Sequence, residues 1–319
     1  MQTKILVTGA LGQIGSELVP ALREKFGRDN VIAVGYIKEE ASKDFINSGP
    51  FEKIDAVNKE EIRTLILKYQ INIIYHLVGI LSAVGEKYPD LAWNTNMLSL
   101  KHVLDLAVEY KIERVFWPSS IASFGPTTPL LNTPQDTVLA PTTIYGVTKV
   151  AGELLCQYYF VKYGLDVRSL RYPGIISWKT PPGGGTTDYA VAIYYDAIQK
   201  GSYDCFVKEG TILPMMYMDD AVNATLKLMD ATPEQIKVRT SYNLTAVSFS
   251  AKELVENVAK YIPNFKCTFT PDSRQKIADS WPKTIDDSSA RTDWGWQHKF
   301  GLEEISEVMI KNLKQKFSK

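Results

Sequence analysis

Short apolar runs alternate with amphipathic segments through the first two-thirds of the chain. Lys4–Thr8 is predicted to be a buried strand. Gln13–Phe26 is predicted to be a helix, with Ile14, Leu18, Leu22 and Phe26 at helical spacing. Val31–Val34 predicts a second strand, and a weaker one near Ile54 precedes a helix over Lys59–Tyr69. Ile73–Leu77 follows as a strand, Pro89–Tyr110 as one long helix and Arg114–Pro118 as a strand. Tyr145–Tyr163 then reads as a helix and Val167–Tyr172 as a strand. Such alternation implies right-handed crossovers and a parallel sheet covered on both faces. The expected fold is α/β, a doubly wound parallel sheet that binds ligands at the carboxyl ends of its strands.

After Pro173 the pattern changes. A flexible loop at Pro181-Pro182-Gly183-Gly184-Gly185 precedes a helix from about Thr187 to Lys200, then strand or hairpin material over Ser202–Met216. Asp219–Asp230 predicts a helix, Tyr242–Leu244 a late strand and Ala251–Tyr261 another helix, with a terminal helix from Leu302. Residues 1–172, with returning segments near 214–245, are expected to form the nucleotide domain. Residues 173–213 and 246–319 are expected to form a smaller C-terminal substrate-binding lobe.

Composition narrows the partner. Lys plus Arg and Asp plus Glu both number 36, so no basic field favours nucleic acid or an anionic membrane, and a small molecule is the expected ligand. Cys156, Cys205 and Cys267 are odd in number and far apart, which suits a reducing compartment. His76, His102 and His298 have no partner at metal-ligand spacing, so no metal is expected. With no run of about 18 apolar residues and no visible targeting segment, the expected location is the cytoplasm.

Gly9, Gly12 and Gly15 follow the first strand directly and open the first helix. Glycines there permit a tight turn and a close approach to a pyrophosphate at the helix N-terminus. The fold is therefore expected to be of the Rossmann type. The second strand should end in an acid that holds the adenosine ribose of NAD, but Gly35 stands there. Tyr36 is positioned to stack on adenine, and Lys38 to favour a 2′-phosphate. NAD is the expected cofactor, with NADP left open. Lys38 also reads as a solvated turn residue. Asp55, expected to meet the adenine amino group, also reads as a surface turn acid.

Tyr145 and Lys149, four residues apart at a helix start, share one face. Ser119 and Ser120 end the preceding strand, and Asn96 lies on the long helix before it. Removing a proton from an alcohol near neutrality requires lowering a tyrosine pKa by about three units from its usual ~10. Lys149 and a cationic nicotinamide push in that direction. Ser120 is expected to orient the substrate oxygen.

With these residues in view, the chain resembles the extended short-chain dehydrogenases, the group containing UDP-galactose epimerase. More narrowly it resembles the bacterial-type L-threonine 3-dehydrogenases. The segments are Leu81-Ser82-Ala83, Gly85-Glu86-Lys87, Trp117-Pro118-Ser119-Ser120-Ile121-Ala122 and Pro141-Thr142-Thr143-Ile144-Tyr145-Gly146. Arg171-Tyr172-Pro173-Gly174-Ile175-Ile176-Ser177, Gly183-Gly184-Gly185-Thr186-Thr187-Asp188-Tyr189-Ala190 and Ser280-Trp281-Pro282 complete them. The resemblance implies oxidation of L-threonine to 2-amino-3-oxobutyrate with NAD as acceptor. Tyr145 would be the general base, Lys149 would hold the nicotinamide ribose, Ser120 would polarise the hydroxyl, and Asn96 would support a proton relay. The expected cofactor contacts are Gly9, Gly12, Gln13, Ile14, Gly15, Tyr36, Lys38, Asp55, Ala56, Leu77, Gly79, Tyr145, Lys149, Tyr172, Pro173 and Ile175. The amino-acid substrate would meet Ser82, Ser120, Tyr145, Gly185, Thr186 and Trp281. The bland readings are a turn for Ser82, a helix cap for Thr186 and lobe packing for Trp281. The triglycine run reads as a linker or as a lid that orders on substrate binding.

Two rivals stand beside this reading. A nucleotide-sugar epimerase or dehydratase shares the fold, but such enzymes usually carry Asn where Gly174 stands and an Arg before the segment matching Tyr217-Met218-Asp219-Asp220. A non-catalytic dinucleotide sensor has no need of Tyr145 and Lys149. A homodimer is expected, and the resemblance implies that the helices Pro89–Tyr110 and Tyr145–Tyr163 pair with their mates as a four-helix interface.

Overall fold

The computed structural model describes residues 3–36 and 43–318. Its strands are β1 (Ile5–Thr8), β2 (Val31–Val34), β3 (Phe51–Glu52), β4 (Ile73–His76), β5 (Arg114–Ser120) and β6 (Asp166–Tyr172). Then come β7 (Gly174–Ile176), β8 (Ser202–Cys205), β9 (Ile212–Tyr217), β10 (Tyr242–Asn243), β11 (Val247–Ser250) and β12 (Lys266–Phe269). Seven of them form one sheet in the order β10-β6-β5-β4-β1-β2-β3, and every pairing in it is parallel. The order reverses between β1 and β4, so their carboxyl ends open a crevice for a ligand.

The pleat explains the near-continuous apolar strands. Along β1, Ile5 and Val7 pack on one face with the helices Gly15–Phe26 and Met218–Asp230, whereas Leu6 packs on the other. That second face is covered by the helices Lys59–Tyr69, Ser99–Glu109 and Ile144–Tyr163. A third apolar cluster joins the helices Tyr189–Lys200, Ala251–Tyr261 and Leu302–Phe317. Local signals start these helices where side chains can close the free N–H groups. The Asn58 side chain accepts from Glu60 and Glu61 N–H, and Ser250 and Glu253 form a reciprocal capping box.

Several elements differ from the sequence reading. The strand expected near Ile54 lies at Phe51–Glu52 and is only two residues long. Ser202–Met216 is not a hairpin: β8 pairs in parallel with β12, and β9 lies between β7 and β11. The long helix has the expected span but changes winding, with α-helix over Pro89–Trp93, a π-helical turn over Asn94–Leu98 and α-helix again over Ser99–Glu109. The short helices Ser82–Lys87, Arg274–Ala278 and Ser288–Trp294 were not expected. At five to seven residues each they are too short to display a helical period. Among the described residues no helix is long and apolar enough to cross a membrane, and no group of three or more His, Cys, Asp or Glu could hold a metal.

Candidate active site

Two adjoining cavities lie along the β1/β4 crevice and share Leu77, Val78 and Gly79 on their walls. The outer one, about 870 Å³, is lined by Gly9, Leu11, Gly12, Gly35, Tyr36, Asp55 and Ala56, among others. Gly9 has φ +69°, and a Cβ there would fall 2.9 Å from the Leu77 carbonyl carbon. Only glycine takes that backbone form at no steric cost while the β4 end approaches so closely. Gly15 is buried where the helix begins. This narrow backbone turn at a helix N-terminus fits a dinucleotide diphosphate. Gln13 and Ile14 line the inner cavity, and Gln13 Nε2 donates to the Ile175 carbonyl at 3.3 Å. Asp55 is exposed, and its carboxylate accepts from Val57 N–H at 2.9 Å. Lys38 lies outside the described residues.

The inner cavity, about 150 Å³, brings together Ser82, Ser120, Tyr145, Lys149, Tyr172, Pro173, Ile175, Gly185, Thr186 and Trp281. Thr143 caps the helix Ile144–Tyr163 by accepting from Gly146 N–H, and Glu86 accepts from Ile144 N–H at 2.7 Å. The cap fixes where the helix starts, which aims Tyr145 and Lys149 at the end of β5. Lys149 Nζ donates to the Pro118 carbonyl at 2.5 Å and lies 4.6 Å from the Trp117 ring centroid and 5.3 Å from that of Tyr145. Ser120 Oγ accepts from Ala122 N–H at 3.2 Å.

Burial dominates the electrostatics of the ligand-free pair. Tyr145 is pushed up to about 12 because burial disfavours the phenolate; the Ser120 hydroxyl opposes this by hydrogen bonding. Burial also lowers Lys149 to about 8, against the pull of Glu153. In the ligand-free protein Tyr145 is therefore a phenol, and the lysine alone does not ionise it.

Beneath this pair lies a network the sequence reading missed. Glu153, buried one helical turn beyond Lys149, accepts from Arg171 Nη2 at 2.7 Å and from Ser119 Oγ at 2.5 Å. It thus ties the catalytic-face helix to β5 and β6. The i+4 and i+8 spacing from Lys149 and Tyr145 was the available signal.

Asn96 sits on the π-helical turn, a winding frequent at functional sites. Its side chain accepts from Ile80 N–H at 2.7 Å and donates to the Ile80 carbonyl and to Thr148 Oγ1. It clamps the segment bordering both cavities but lines neither. His76 is equally structural. Ser99 Oγ donates to the Thr95 carbonyl and so accepts from His76 Nε2, leaving Nδ1 to accept from Thr8. Burial keeps the ring neutral, with its pKa lowered to about 3.

On the facing wall, Thr186 is buried with its Oγ1 3.3 Å from Ser82 Oγ. Asp188, also unforeseen, holds the triglycine loop by accepting from Gly184 and Gly185 N–H at 2.7 and 2.8 Å. Its place three residues after Gly185 was the only clue. Lys149 is the sole basic residue among the described ones lining this cavity. At Gly174 a Cβ would lie 2.3 Å from Met215 Sδ and 2.8 Å from Thr187 Cβ, so Asn cannot enter without repacking.

Comparison with known proteins agrees with this geometry. Residues 5–244 match the model of the NAD dependent epimerase/dehydratase family. An uncharacterised epimerase/dehydratase of Staphylococcus haemolyticus is 46% identical over 314 residues, covering 98% of each chain. A structure of a partial consensus L-threonine 3-dehydrogenase is 50% identical with a TM-score of 0.95, covering 98% of this chain and 99% of that one. The GalE-like L-threonine dehydrogenase of Cupriavidus necator, in its holo form, is 49% identical with a TM-score of 0.94, covering 97% and 99%. With a crevice at β1/β4 and a Tyr145/Lys149 wall beside it, this chain belongs to the NAD-dependent epimerase/dehydratase family.

Proposed function

We propose that this protein oxidises the β-hydroxyl of L-threonine to 2-amino-3-oxobutyrate, with NAD as hydride acceptor. The observation that carries this is whole-chain similarity to L-threonine dehydrogenase structures at about 50% identity, over a small cavity walled by Tyr145, Ser120, Thr186 and Trp281. The glycine turn, Gln13, Ile14 and the Tyr172–Ile175 segment would hold the dinucleotide. Bound nicotinamide supplies the acceptor for the hydride leaving the substrate Cβ.

The chain's own residues manage the proton. Ser120 Oγ hydrogen-bonds the substrate hydroxyl, and Tyr145 Oη takes its proton once the phenol has lost its own to solvent, a loss that a bound cationic cofactor would favour. Lys149 stabilises the phenolate form through its charge. Asn96 contributes by fixing the Ile80 segment. Ser82 and Thr186 present hydroxyls to the amino acid's polar groups, and Trp281 covers the pocket. In this reading residues 1–172, with returning segments near 214–245, form the nucleotide domain and lend Ser82, Ser120 and Tyr145 to the substrate, while residues 173–213 and 246–319 add Gly185, Thr186 and Trp281.

A diphosphate-sugar substrate is disfavoured by the small inner cavity, its single buried lysine and the filled space at Gly174. The test is nicotinamide reduction at 340 nm with L-threonine, L-serine, L-allo-threonine and UDP-galactose. Threonine-dependent reduction is expected; silence with every amino acid would return the nucleotide-sugar reading to the front.

We further propose a two-fold dimer. Leu91, Trp93 and Leu98 on one long helix and Leu154, Tyr158 and Val161 on the other stand exposed. An apolar band on two neighbouring helices is what a four-helix interface would cover. A monomeric mass by ultracentrifugation at micromolar concentration would refute it.

A further inference from the structure

The adenosine end of the cofactor crevice departs from the usual NAD pattern. In that pattern an acid at the end of the second strand accepts a hydrogen bond from the ribose 2′-hydroxyl. The same carboxylate repels a 2′-phosphate, because like charges brought together in a binding site cost affinity. Here β2 ends in Val34-Gly35-Tyr36, and Leu11 fills the space beside Gly35. A Cβ on residue 35 would lie 2.8 Å from Leu11 Cγ and 2.9 Å from Leu11 Cδ1. The two positions are matched, with a leucine in the glycine turn standing where the acid's side chain would start.

The neighbouring charges point the same way. Tyr36 is 72% exposed at the cavity rim, and Lys53 Nζ lies 5.7 Å from its ring centroid. Gly35 N–H donates to the Glu52 carbonyl, so Lys53 follows directly alongside the end of β2. The Glu52 carboxylate is committed elsewhere, accepting from Lys68 Nζ at 2.6 Å and Tyr69 Oη at 2.5 Å. Asp55 is the one carboxylate among the described residues lining the cavity, and it accepts from Val57 N–H in its own turn.

We infer that this crevice does not discriminate against a 2′-phosphate. Leu11 and Gly35 replace the discriminating acid, and Lys53, held over Tyr36, supplies a cation for the phosphate, so NADP binds with an affinity comparable to that of NAD. The inference rests on the dinucleotide site alone and is independent of the substrate.

Isothermal titration of the purified protein with NAD, NADP, 5′-AMP and 2′,5′-ADP, without any amino acid, tests it. The dissociation constants for NAD and NADP are expected to agree within about tenfold, or about 1.4 kcal/mol. Lys53→Gln should weaken NADP about fivefold relative to NAD, the scale of one exposed ion pair, and 2′,5′-ADP likewise relative to 5′-AMP. Combining Gly35→Asp with Leu11→Ala, which clears the space, should shift the ratio toward NAD by more than about tenfold. A wild-type preference for NAD above tenfold, or a Lys53→Gln protein with an unchanged ratio, would overturn the inference. Failure to bind either dinucleotide would instead overturn the cofactor site on which it stands.

Discussion

Lys149 is buried, and burial lowers its pKa from the ordinary 10.5 to about 8. At 1.36 kcal/mol per pH unit, that drop is a penalty of about 3 kcal/mol on folding with the ammonium charged. We predict that Lys149→Met, which keeps the length of the side chain and removes the charge, lifts the penalty. The variant loses the hydrogen bond to the Pro118 carbonyl, worth about 1 kcal/mol. It also loses the contacts with the Trp117 and Tyr145 rings, worth about another 1 kcal/mol. The net expectation at pH 7 is a variant about 1 kcal/mol more stable than the parent and inactive. The sign of the pH dependence follows from linkage. A depressed lysine pKa penalises the folded state below pH 8, and the penalty fades as pH rises from 8 to 10.5, where the unfolded chain also releases its proton. By pH 9.5 less than half of it remains, so the advantage of methionine should fall by about 2 kcal/mol between pH 7 and 9.5. Urea denaturation of both ligand-free proteins at the two pH values measures this. A stability difference that stays constant within about 0.5 kcal/mol would refute the reasoning.

Three further predictions concern groups around the pair. Glu153→Gln removes the counter-charge of the buried Arg171 guanidinium, which keeps its bonds to the Gln135 carbonyl and Asn243, and should cost about 3 kcal/mol of stability by the same denaturation assay; a loss under about 1 kcal/mol would mean the ion pair is not the junction described. Gly174→Asn should cost about 1–3 kcal/mol through collision with Met215 and Thr187 and should raise KM for the substrate, whereas an unchanged melting curve would contradict the packing argument. Asp188→Asn weakens the grip on Gly184 and Gly185 N–H and should raise KM for threonine about tenfold, with faster proteolysis of the triglycine loop. Equal proteolysis with and without substrate would count against the loop acting as a lid.

The chain order made the main features legible wherever chemistry is local. Gly9, Gly12 and Gly15 occupy one turn, Tyr145 and Lys149 lie one helical turn apart, and Ser120 ends a strand, so spacing alone placed them. The sheet was largely legible, because β1, β2, β4 and the centre of β5 are short apolar runs, whereas β6 mixes apolar residues with Arg168, Ser169 and Arg171. Thr186, Ser82 and Trp281 came through resemblance, since nothing in their spacing links positions about a hundred residues apart. The Glu153–Arg171 pair and the Leu11–Gly35 match depend on tertiary approach and left little trace in any local pattern, whereas the Asp188 anchor is local and its one trace is its place three residues after Gly185. The burial of Tyr145 was not legible either. Spacing reveals that a lysine is near a tyrosine, but not that burial raises the pKa of the phenol in the ligand-free protein.

The most direct test of the account is deuterium transfer from L-threonine labelled at Cβ. Wild-type protein with NAD is expected to give reduced cofactor carrying the label, detected by mass spectrometry. Tyr145→Phe, still binding NAD in titration, is expected to give none. Label transfer that survives in Tyr145→Phe at the wild-type rate, or its absence from the wild type, would contradict the claim that this tyrosine drives threonine oxidation.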